Sequence, residues 1–470
     1  MKQYKTAAAL VMLCVIFIFG GRTDVKADSA EGTNENISWK LEDGVLTIWG
    51  KGDMPECGHK KMRVYEETLD CYENNADWNE YKEIESIVIK EGVTSISSHA
   101  FFDLHNAKSI SIPSTVKTIG HAAFARSGFC QITVPDSVTS IGEGAFLGCS
   151  SLEQVTLSKN ITKIRKMAFD GCYSLKQVNI PKKVKTIGKY AFDACYALKQ
   201  ISIPSKVKTI EEKAFRGCEG LEQVNMEKKS RLQKIGAYAF SGCHIKKWTM
   251  PASVTEIGSA ALGGVCKIQV EKGNKKYKSR NGILFSKNGK TLVCYPEHRE
   301  KSAYTIPKGV KTIGSYAFND NVNLKKVIMP DSVTVVEERA FFGAEKLKTV
   351  RFSKNLKRVE EDAFGCCDLS SLKLPDSLEV IGRFAFNGSS IKGTLVIPKN
   401  VKEIGYQAFF VNPDKVKKIL VQSKKLKKVD KQVVFSTKKV TVILPKSKKE
   451  SYQKFFTKKR QGKNIKFLYR

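Results

Sequence analysis

The sequence has few acidic residues, few cysteines and a single long hydrophobic run. Its 47 Asp and Glu stand against 80 Lys and Arg, which gives a formal net charge of +33 over 470 residues. Thirteen cysteines are too few for a small scaffold held together by disulfides. With 41% hydrophobic and 27% charged residues, the composition excludes a wholly disordered chain. The length alone would suit about three ordinary domains.

The one long apolar run, from Ala7 to Phe19, lies near the start of the chain. Two lysines precede it, and a short polar stretch ends at Ala27. The run is shorter than the ~20 apolar residues that a membrane span requires, whereas its flanks are typical of a secretory signal peptide. We therefore expect residues 1–27 to be a signal peptide, with cleavage after Ala27. The mature chain should be secreted or surface-associated and contain no transmembrane segment.

The usual signatures of catalysis and cofactor binding are missing from the sequence. The six histidines show no H-E-x-x-H spacing, and neither G-x-S-x-G nor a phosphate-binding glycine loop occurs. We therefore predict no enzymatic activity, no cofactor and no metal site. Nucleic acid is not an expected partner either, because secretion separates the protein from it and no recognition module is present.

The dominant feature of the sequence is a repeat of 22 to 25 residues. An Ala-Phe pair marks each copy, and Ala261-Leu262 is a degenerate version of it. The twelve pairs end at Phe101, Phe124, Phe146, Phe169, Phe192, Phe215, Phe240, Phe318, Phe341, Phe364, Phe386 and Phe409. A single copy cannot bury its apolar side, so neighbouring copies must stack into a continuous core.

The copy that begins at Ala168 illustrates the structural role predicted for each position of the repeat. Val178 and Ile180 alternate with a polar residue, which predicts a short strand. Pro181 ends that strand, since proline has no N–H for a β ladder. A second apolar pair follows, and the sequence predicts that Gly188 serves a turn needing permissive backbone angles. Phe169 is expected to fill the inside of the coil.

This unit resembles the leucine-rich repeat of BspA-like bacterial surface proteins over about residues 86–410. The pattern AFxGCxxLxxVxIPxxVxxIGxxAF is visible almost whole in the copy that begins at Ala168. The resemblance implies a β-rich leucine-rich-repeat solenoid, here with about thirteen coils. It also implies a non-catalytic protein that is exposed on the cell surface or released, and that binds components of host or neighbouring cells.

The predicted layout follows from where the repeat is regular. After the signal peptide we expect an N-terminal β cap (28–85), a first repeat block (86–262), a β-hairpin insertion (263–305), a second block (306–411) and a lysine-rich C-terminal region (412–470). Asn-Gly pairs at 281–282 and 288–289 are the turn signals of the hairpin insertion. Within the cap, Trp39, Trp49 and Trp78 are predicted to be core residues, as is Trp248 in the repeats.

Cysteine recurs three residues after the Phe in six copies. The favoured interpretation is a column of small buried hydrophobes, because equivalent Cβ atoms ~4.8 Å apart are too distant for disulfides. A metal or redox ladder is the alternative. Cys57 and Cys71 lie outside the repeats and could form a disulfide in an exported region. The six repeated positions are Cys149, Cys172, Cys195, Cys218, Cys243 and Cys367.

The outward positions of the first strand in each coil are polar. Stacking would turn them into ladders along one face, on which an extended partner could lie. The alternative is a solvated sheet face whose amides and hydroxyls pair with each other. One ladder would contain Gln154, Gln177, Gln200, Gln223 and Lys247, and the other Thr156, Asn179, Ser202 and Asn225.

The positive charge is concentrated at the C-terminal end. Between Lys415 and Arg470, 20 Lys and Arg stand against two acidic residues, a balance of +18. Such a block could hold the chain to an anionic envelope polymer or membrane by salt-sensitive attraction. The leading function, which the resemblance to BspA-like proteins implies, is protein binding and adhesion. Binding of a glycan or anionic polymer through the polar ladders and the basic end is the alternative.

Overall fold

The computed structural model describes residues 29–56, 62–64, 67–69, 76–410, 415–436 and 438–470. The predicted signal peptide with its cleavage position after Ala27, and the predicted disulfide partners Cys57 and Cys71, lie outside these residues. Among the described residues the architecture is a β solenoid of about 16 turns with little helix. The predicted leucine-rich-repeat class is therefore confirmed.

The first described residues, from Ser29, form a small antiparallel sheet that leads into the solenoid. Strand β2 pairs with both β1 and β3 in antiparallel fashion, and β3 then pairs in parallel with the first repeat strand. The N-terminal strands are β1 (Ser29–Asn34), β2 (Ile37–Glu42), β3 (Val45–Gly50), β4 (Gly52–Asp53), β5 (Met62–Val64) and β6 (Glu67–Leu69).

Each coil of the first block contributes two short parallel strands, which we name the A strand and the B strand. The A strand is the Val-x-Ile segment, and the B strand is the short Thr-Ile-like pair after the proline. In chain order, A and B alternate through β7 (Ser86–Ile89), β8 (Val93–Ile96), β9 (Ser109–Ser111), β10 (Thr118–Ile119), β11 (Gln131–Thr133), β12 (Ser140–Ile141), β13 (Gln154–Thr156), β14 (Lys163–Ile164), β15 (Gln177–Val178), β16 (Thr186–Ile187), β17 (Gln200–Ile203), β18 (Thr209–Ile210), β19 (Gln223–Met226), β20 (Lys234–Ile235), β21 (Trp248–Met250) and β22 (Glu256–Ile257).

A hairpin interrupts the row of B strands. After the A strand β23 (Ile268–Val270), β24 (Tyr277–Arg280) and β25 (Ile283–Ser286) form an antiparallel pair, and the B strand β26 (Thr291–Cys294) follows. The two-residue turn at Asn281 and Gly282 has φ values of 52° and 79°, as the Asn-Gly signal predicts. In the sheet, β26 lies between β25 and β28 (Thr312–Ile313). Strand β25 therefore occupies the edge of β26 that the B strand of the preceding coil, β22, would pair with in an uninterrupted solenoid.

The solenoid continues to the end of the described chain. Residues 440–444 and 465–469 form strands, and parallel pairing extends through both. The remaining strands are β27 (Ala303–Thr305), β29 (Lys326–Ile328), β30 (Val335–Val336), β31 (Thr349–Arg351), β32 (Arg358–Val359), β33 (Val380–Ile381), β34 (Gly393–Ile397), β35 (Glu403–Ile404), β36 (Phe409–Phe410), β37 (Val416–Val421), β38 (Lys428–Val429), β39 (Val434–Phe435), β40 (Val440–Leu444) and β41 (Ile465–Tyr469). A 3₁₀ helix, Lys446–Lys448, and the short helices Lys449–Gln453 and Lys458–Gln461 lie between the last two strands.

The repeated phenylalanines form the axis of the core. Each is almost fully buried, and successive rings stack with centroids 4.5–5.8 Å apart. The backbone N–H of each Phe donates to a carbonyl in the next coil. The acceptor belongs to the residue just before the Phe position of that coil, as in Phe192 to Ala214 at 2.8 Å. The column therefore combines aromatic stacking with a backbone ladder.

Two expectations about the number of turns and the core tryptophans need correction. The number of turns is about sixteen rather than about thirteen, because the N-terminal cap and the residues after 411 add stacked turns that lack the Ala-Phe signature. Trp49 is 41% exposed and is not a core residue. Leu46 and Ile48 take the inward positions of β3, so alternation along the strand directs Trp49 outward. Trp39, Trp78 and Trp248 are buried as predicted.

Candidate functional site

The predicted polar ladder positions lie on the outward side of the A strands. Gln154 pairs in register with Gln177, and Gln200 pairs with Gln223, so the glutamines of neighbouring coils stand beside each other. Ser202 and Asn225 are partners in the same way. All nine positions are exposed except Asn225, which is half-buried; the exposed ones are Gln154, Thr156, Gln177, Asn179, Gln200, Ser202, Gln223 and Lys247.

The ladder does not run unbroken from Gln223 to Lys247. Among the described strands, β19 pairs only with β17, whereas β21 pairs with β23. The ladder is also interrupted after Gln177, because β15 pairs with β13 and not with β17. The longer spacing of this coil, 25 residues from Phe215 to Phe240, accompanies the break. A groove of about 510 Å³ opens there, lined by residues of β19 and by Lys246, Lys247 and Thr249. The structure thus brings the glutamines together in pairs and leaves Lys247 across a groove from Gln223.

Most ladder amides are not used inside the protein. Within the described residues, Gln154, Gln177 and Gln200 make no side-chain hydrogen bond, whereas Gln223 donates to Asn225 at 2.7 Å within its own strand. Each free amide carries two N–H donors and one carbonyl acceptor. The face therefore offers evenly repeated donors and acceptors to solvent or to a partner.

Sequence reasoning missed a pair of exposed tyrosines in the turns that precede two A strands. Tyr173 and Tyr196 occupy the same position in consecutive coils, four residues before Gln177 and Gln200. They are 48% and 47% exposed, and their rings stack with centroids 5.1 Å apart. The signal was present as two successive Cys-Tyr pairs in register. Exposed aromatic side chains of this kind are enriched at protein interfaces.

The repeated cysteines are packing residues that also donate hydrogen bonds. All six are buried. Each thiol donates to the backbone carbonyl of the Phe in the preceding coil, as in Cys195 to Phe169 at 3.2 Å. Burial raises the pKa of Cys149 to about 12 and that of Cys172 well above its ordinary value. These two thiols are held in the protonated form, in which they are poor nucleophiles and poor metal ligands, whereas, against its burial, hydrogen bonds with Cys195 and Cys243 lower the pKa of Cys218. This geometry favours the interpretation as small buried hydrophobes.

Buried carboxylates lie outside the column but do not assemble a metal site. Burial, together with the charge of Asp193, raises the pKa of Asp170 to about 8. Asp193 is paired with Arg216, whose Nε donates to it at 2.9 Å. In the described part of the chain, no group of three or more His, Cys, Asp or Glu side chains is placed to hold a metal ion. No helix in the same residues is long and apolar enough to cross a membrane.

The family assignment follows from the repeats and their stacking. The model of the BspA-type leucine-rich-repeat region matches residues 75–199, 185–287, 294–414 and 393–469. The chain belongs to this family. Its match extends to residue 469, so the BspA-type pattern includes the lysine-rich end in which the Ala-Phe signature is lost.

Solved structures of bacterial leucine-rich-repeat proteins are similar to this BspA-type chain. The pneumococcal vaccine antigen PcpA is 22% identical over 94% of this chain and 99% of its own, with a TM-score of 0.56. A leucine-rich cell surface protein of Faecalibacterium prausnitzii is 22% identical over 95% and 97%, with a TM-score of 0.47. No curated protein sequence matches the chain.

BspA-type repeat proteins are typically surface-associated and non-catalytic, and the family points to a protein-binding module. The likeness to PcpA supports the shared fold alone, because an identity of 22% is too low to carry a shared function. The family does not specify a ligand, so the binding face has to be inferred from the geometry of this chain.

Proposed function

We propose that this protein is a secreted, non-catalytic adhesion module that binds an extracellular protein through the face formed by the A strands. The contact surface consists of the ladder glutamines and the stacked pair Tyr173 and Tyr196. The partner lies along the face in extended form, so that its polar groups meet the amides of successive coils.

The observation that carries this proposal is the set of unused amides beside an exposed aromatic pair. Gln177 and Gln200 project from consecutive coils, and within the described residues their side-chain amides make no hydrogen bond. Tyr173 and Tyr196 supply apolar area at the edge of the same face, and rigid aromatic side chains typically carry much of the binding energy at interfaces. Stacking of coils fixes all four side chains on one scaffold before a partner arrives, which lowers the entropic cost of binding.

The test is binding of the chain from residue 28 onward to an array of extracellular proteins and glycans, followed by affinity measurements with variants. The double variant Gln177→Ala, Gln200→Ala should weaken binding to a captured protein by about tenfold, as expected for two lost hydrogen bonds. Tyr196→Ala should weaken it at least as much. Gln233→Ala provides the matched control, because Gln233 is exposed but lies outside the A strands.

Two results would count against the proposal. The first is a captured protein whose affinity is unchanged in both ladder and tyrosine variants. The second is an array on which the chain retains only glycans, since the amides would then serve a different ligand class.

A second candidate function is retention on an anionic envelope polymer or glycan through the C-terminal lysines. The observation that favours it is that these lysines lie on folded turns, where Lys417, Lys418, Lys424, Lys425, Lys427 and Lys428 are all exposed. A fixed array of like charges attracts a polyanion more strongly than the same charges dispersed over the surface.

A further inference from the structure

The backbone ladder between coils is broken at one position. From Phe101 to Phe409, the N–H at each Phe position donates to the next coil at 2.7–3.0 Å, and Tyr295 takes this role after the hairpin. Leu262 is the exception among the described coils, since its N–H has no hydrogen-bond partner within the described residues. Ala260 is a second exception, because the equivalent N–H two residues before each Phe also donates to the next coil. Two N–H donors, two residues apart in the turn that carries Leu262, are therefore left unpaired within the described residues.

The inserted hairpin explains this break. Strands β24 and β25 add two strands to the row of B strands, and no matching segment is added at the Phe corner. Within the described residues, the coil of Leu262 and the coil of Tyr295 consequently make no backbone hydrogen bond to each other at this corner, although the Cys294 thiol reaches the Leu262 carbonyl at 3.9 Å. A cleft of about 290 Å³ separates them, lined on one side by residues 257–263 and on the other by residues 291–297 and 314–316. This volume lies at the lower end of the range for ligand pockets.

The cleft has walls of defined chemistry. Ile257, Leu262 and Val293 are apolar, and Glu297 supplies a half-buried carboxyl group. No Lys or Arg is among the described residues that line it, although the protein is strongly basic. At the rim, Tyr238 and Tyr316 meet edge to face with centroids 5.7 Å apart.

We propose that this cleft binds a short, lysine-containing peptide segment of a partner, whose backbone carbonyls accept from the N–H groups of Ala260 and Leu262. In the preceding coil the equivalent donors, Tyr238 and Phe240, bond carbonyls that lie two residues apart in the next coil. A segment with two such carbonyls therefore fits the two N–H groups.

Burial, together with the charge of Asp320, raises the pKa of Glu297 on the opposite wall to about 8. A lysine of the segment supplies a positive charge that favours the ionised carboxylate and pairs with it. The volume accommodates about two or three residues, so this is a short anchor separate from the A-strand face.

The chain offers a substitution that fills the cleft without disturbing the coil. A Cβ added at Gly263 would meet Glu297 Oε2 at 3.4 Å and Ala260 O at 3.5 Å, which are ordinary contacts. Gly263→Leu therefore places a side chain beside Glu297. Asn387→Leu is the matched control, because Asn387 occupies the same position relative to the Phe in a distant coil.

The experiment measures hydrogen exchange of the full chain by mass spectrometry with three probes: Ac-Ala-Lys-Ala-NH₂, Ac-Ala-Glu-Ala-NH₂ and N-acetylglucosamine. The lysine peptide at millimolar concentration should slow exchange in residues 258–264, and the other two probes should not. Gly263→Leu and Glu297→Gln should each raise the peptide concentration needed for half-maximal protection by about tenfold or more. Asn387→Leu should leave it unchanged.

Several outcomes would overturn the proposal. Absence of protection by the lysine peptide would do so, as would equal protection by the glutamate peptide or by the sugar. Protection that survives in Gly263→Leu would show that the peptide binds elsewhere. None of these results depends on whether the A-strand face binds a protein.

Discussion

At the scale of the residue, the stacked phenylalanines and the buried thiols follow directly from their sequence positions. The Phe position recurs with a near-constant period, and every described copy lies inside the coil. The role of Gly188 was predicted incorrectly. Its φ lies outside the left-handed region, and an added Cβ would meet the Arg165 carbonyl carbon at 2.7 Å, so close approach of coils explains the glycine.

Truncation of one ring in the column should destabilise the solenoid strongly. Phe192 is fully buried and stacks on both neighbours, so Phe192→Ala should cost about 3–5 kcal/mol. Tyr196→Ala, at a half-exposed position of the same coil, should cost less than about 1 kcal/mol. Urea unfolding followed by circular dichroism measures both. Equal midpoints for the two variants would contradict the account of the core.

Accessibility should separate two adjacent cysteines. Cys366 is exposed and Cys367 is buried, with burial raising the pKa of both thiols. Iodoacetamide applied to the native protein should therefore modify Cys366 and Cys130 but not Cys367 or the other column cysteines. Peptide mass spectrometry identifies the modified positions. Labelling of Cys367 at the rate of Cys366 would show that the column is open.

The buried carboxyl group of Asp170 should make stability depend on pH. Because its pKa is raised to about 8 in the folded protein, the folded state holds this proton more tightly than the unfolded chain does. Its contribution is fully present below about pH 4 and is lost as pH rises towards 8, with about 1.4 kcal/mol per unit of pKa difference. Asp170→Asn should therefore raise the melting temperature more at pH 8 than at pH 4.

The control for this titration is Asp136, an exposed residue. Hydrogen bonds from Lys159 lower the pKa of Asp136, so Asp136→Asn should bring no gain at pH 8. A melting-temperature difference for Asp170→Asn that is the same at both pH values would argue against a buried, protonated carboxyl group.

At the scale of the element, stacking distances restrict which side chains fit between coils. The sequence predicted the strand, the proline stop and the hairpin turns, because each has a local signal. It could not predict the break between β19 and β21 or the cleft at Leu262, since both depend on how whole coils stack. Trp49 was predicted to be buried because its side chain is large and apolar. The alternation of inward and outward residues along β3, which places it outside, is the stronger signal.

Glycine substitutions should distinguish tight from open contacts between coils. Gly188→Ala forces the chain away from Arg165 and should lower stability by about 1–3 kcal/mol. The same change at Gly263, where contacts are 3.4 Å or longer, should be tolerated. Thermal unfolding of the two variants tests this difference, and a larger loss for Gly263→Ala would contradict the stacking geometry.

At the scale of the whole molecule, the solenoid replaces the three domains that the length suggested. Two large core clusters, 37–284 and 283–465, meet at the hairpin. The fold class was predictable because the same residue pattern is repeated in many successive coils. The binding surface was less so, since the tyrosine pair and the unused amides become visible only when coils are stacked.

The uneven charge leads to a prediction about the entire chain. Replacing Lys417, Lys418, Lys424 and Lys425 with Gln should weaken binding to an anionic cell-wall polymer, and raising salt should weaken binding of the unchanged protein. Replacement is preferable to truncation, because Tyr452 and Phe456 of the same region cover the end of the core. Salt-insensitive binding that the four substitutions leave unchanged would remove the electrostatic role.

The most direct test of the protein-binding account is a hydrogen-exchange footprint of a captured protein partner on the full chain. The account predicts slowed exchange in the A strands from β13 to β19 and in the segments that carry Tyr173 and Tyr196, with the B strands unchanged. Protection confined to the B strands or to residues 415–470 would contradict it.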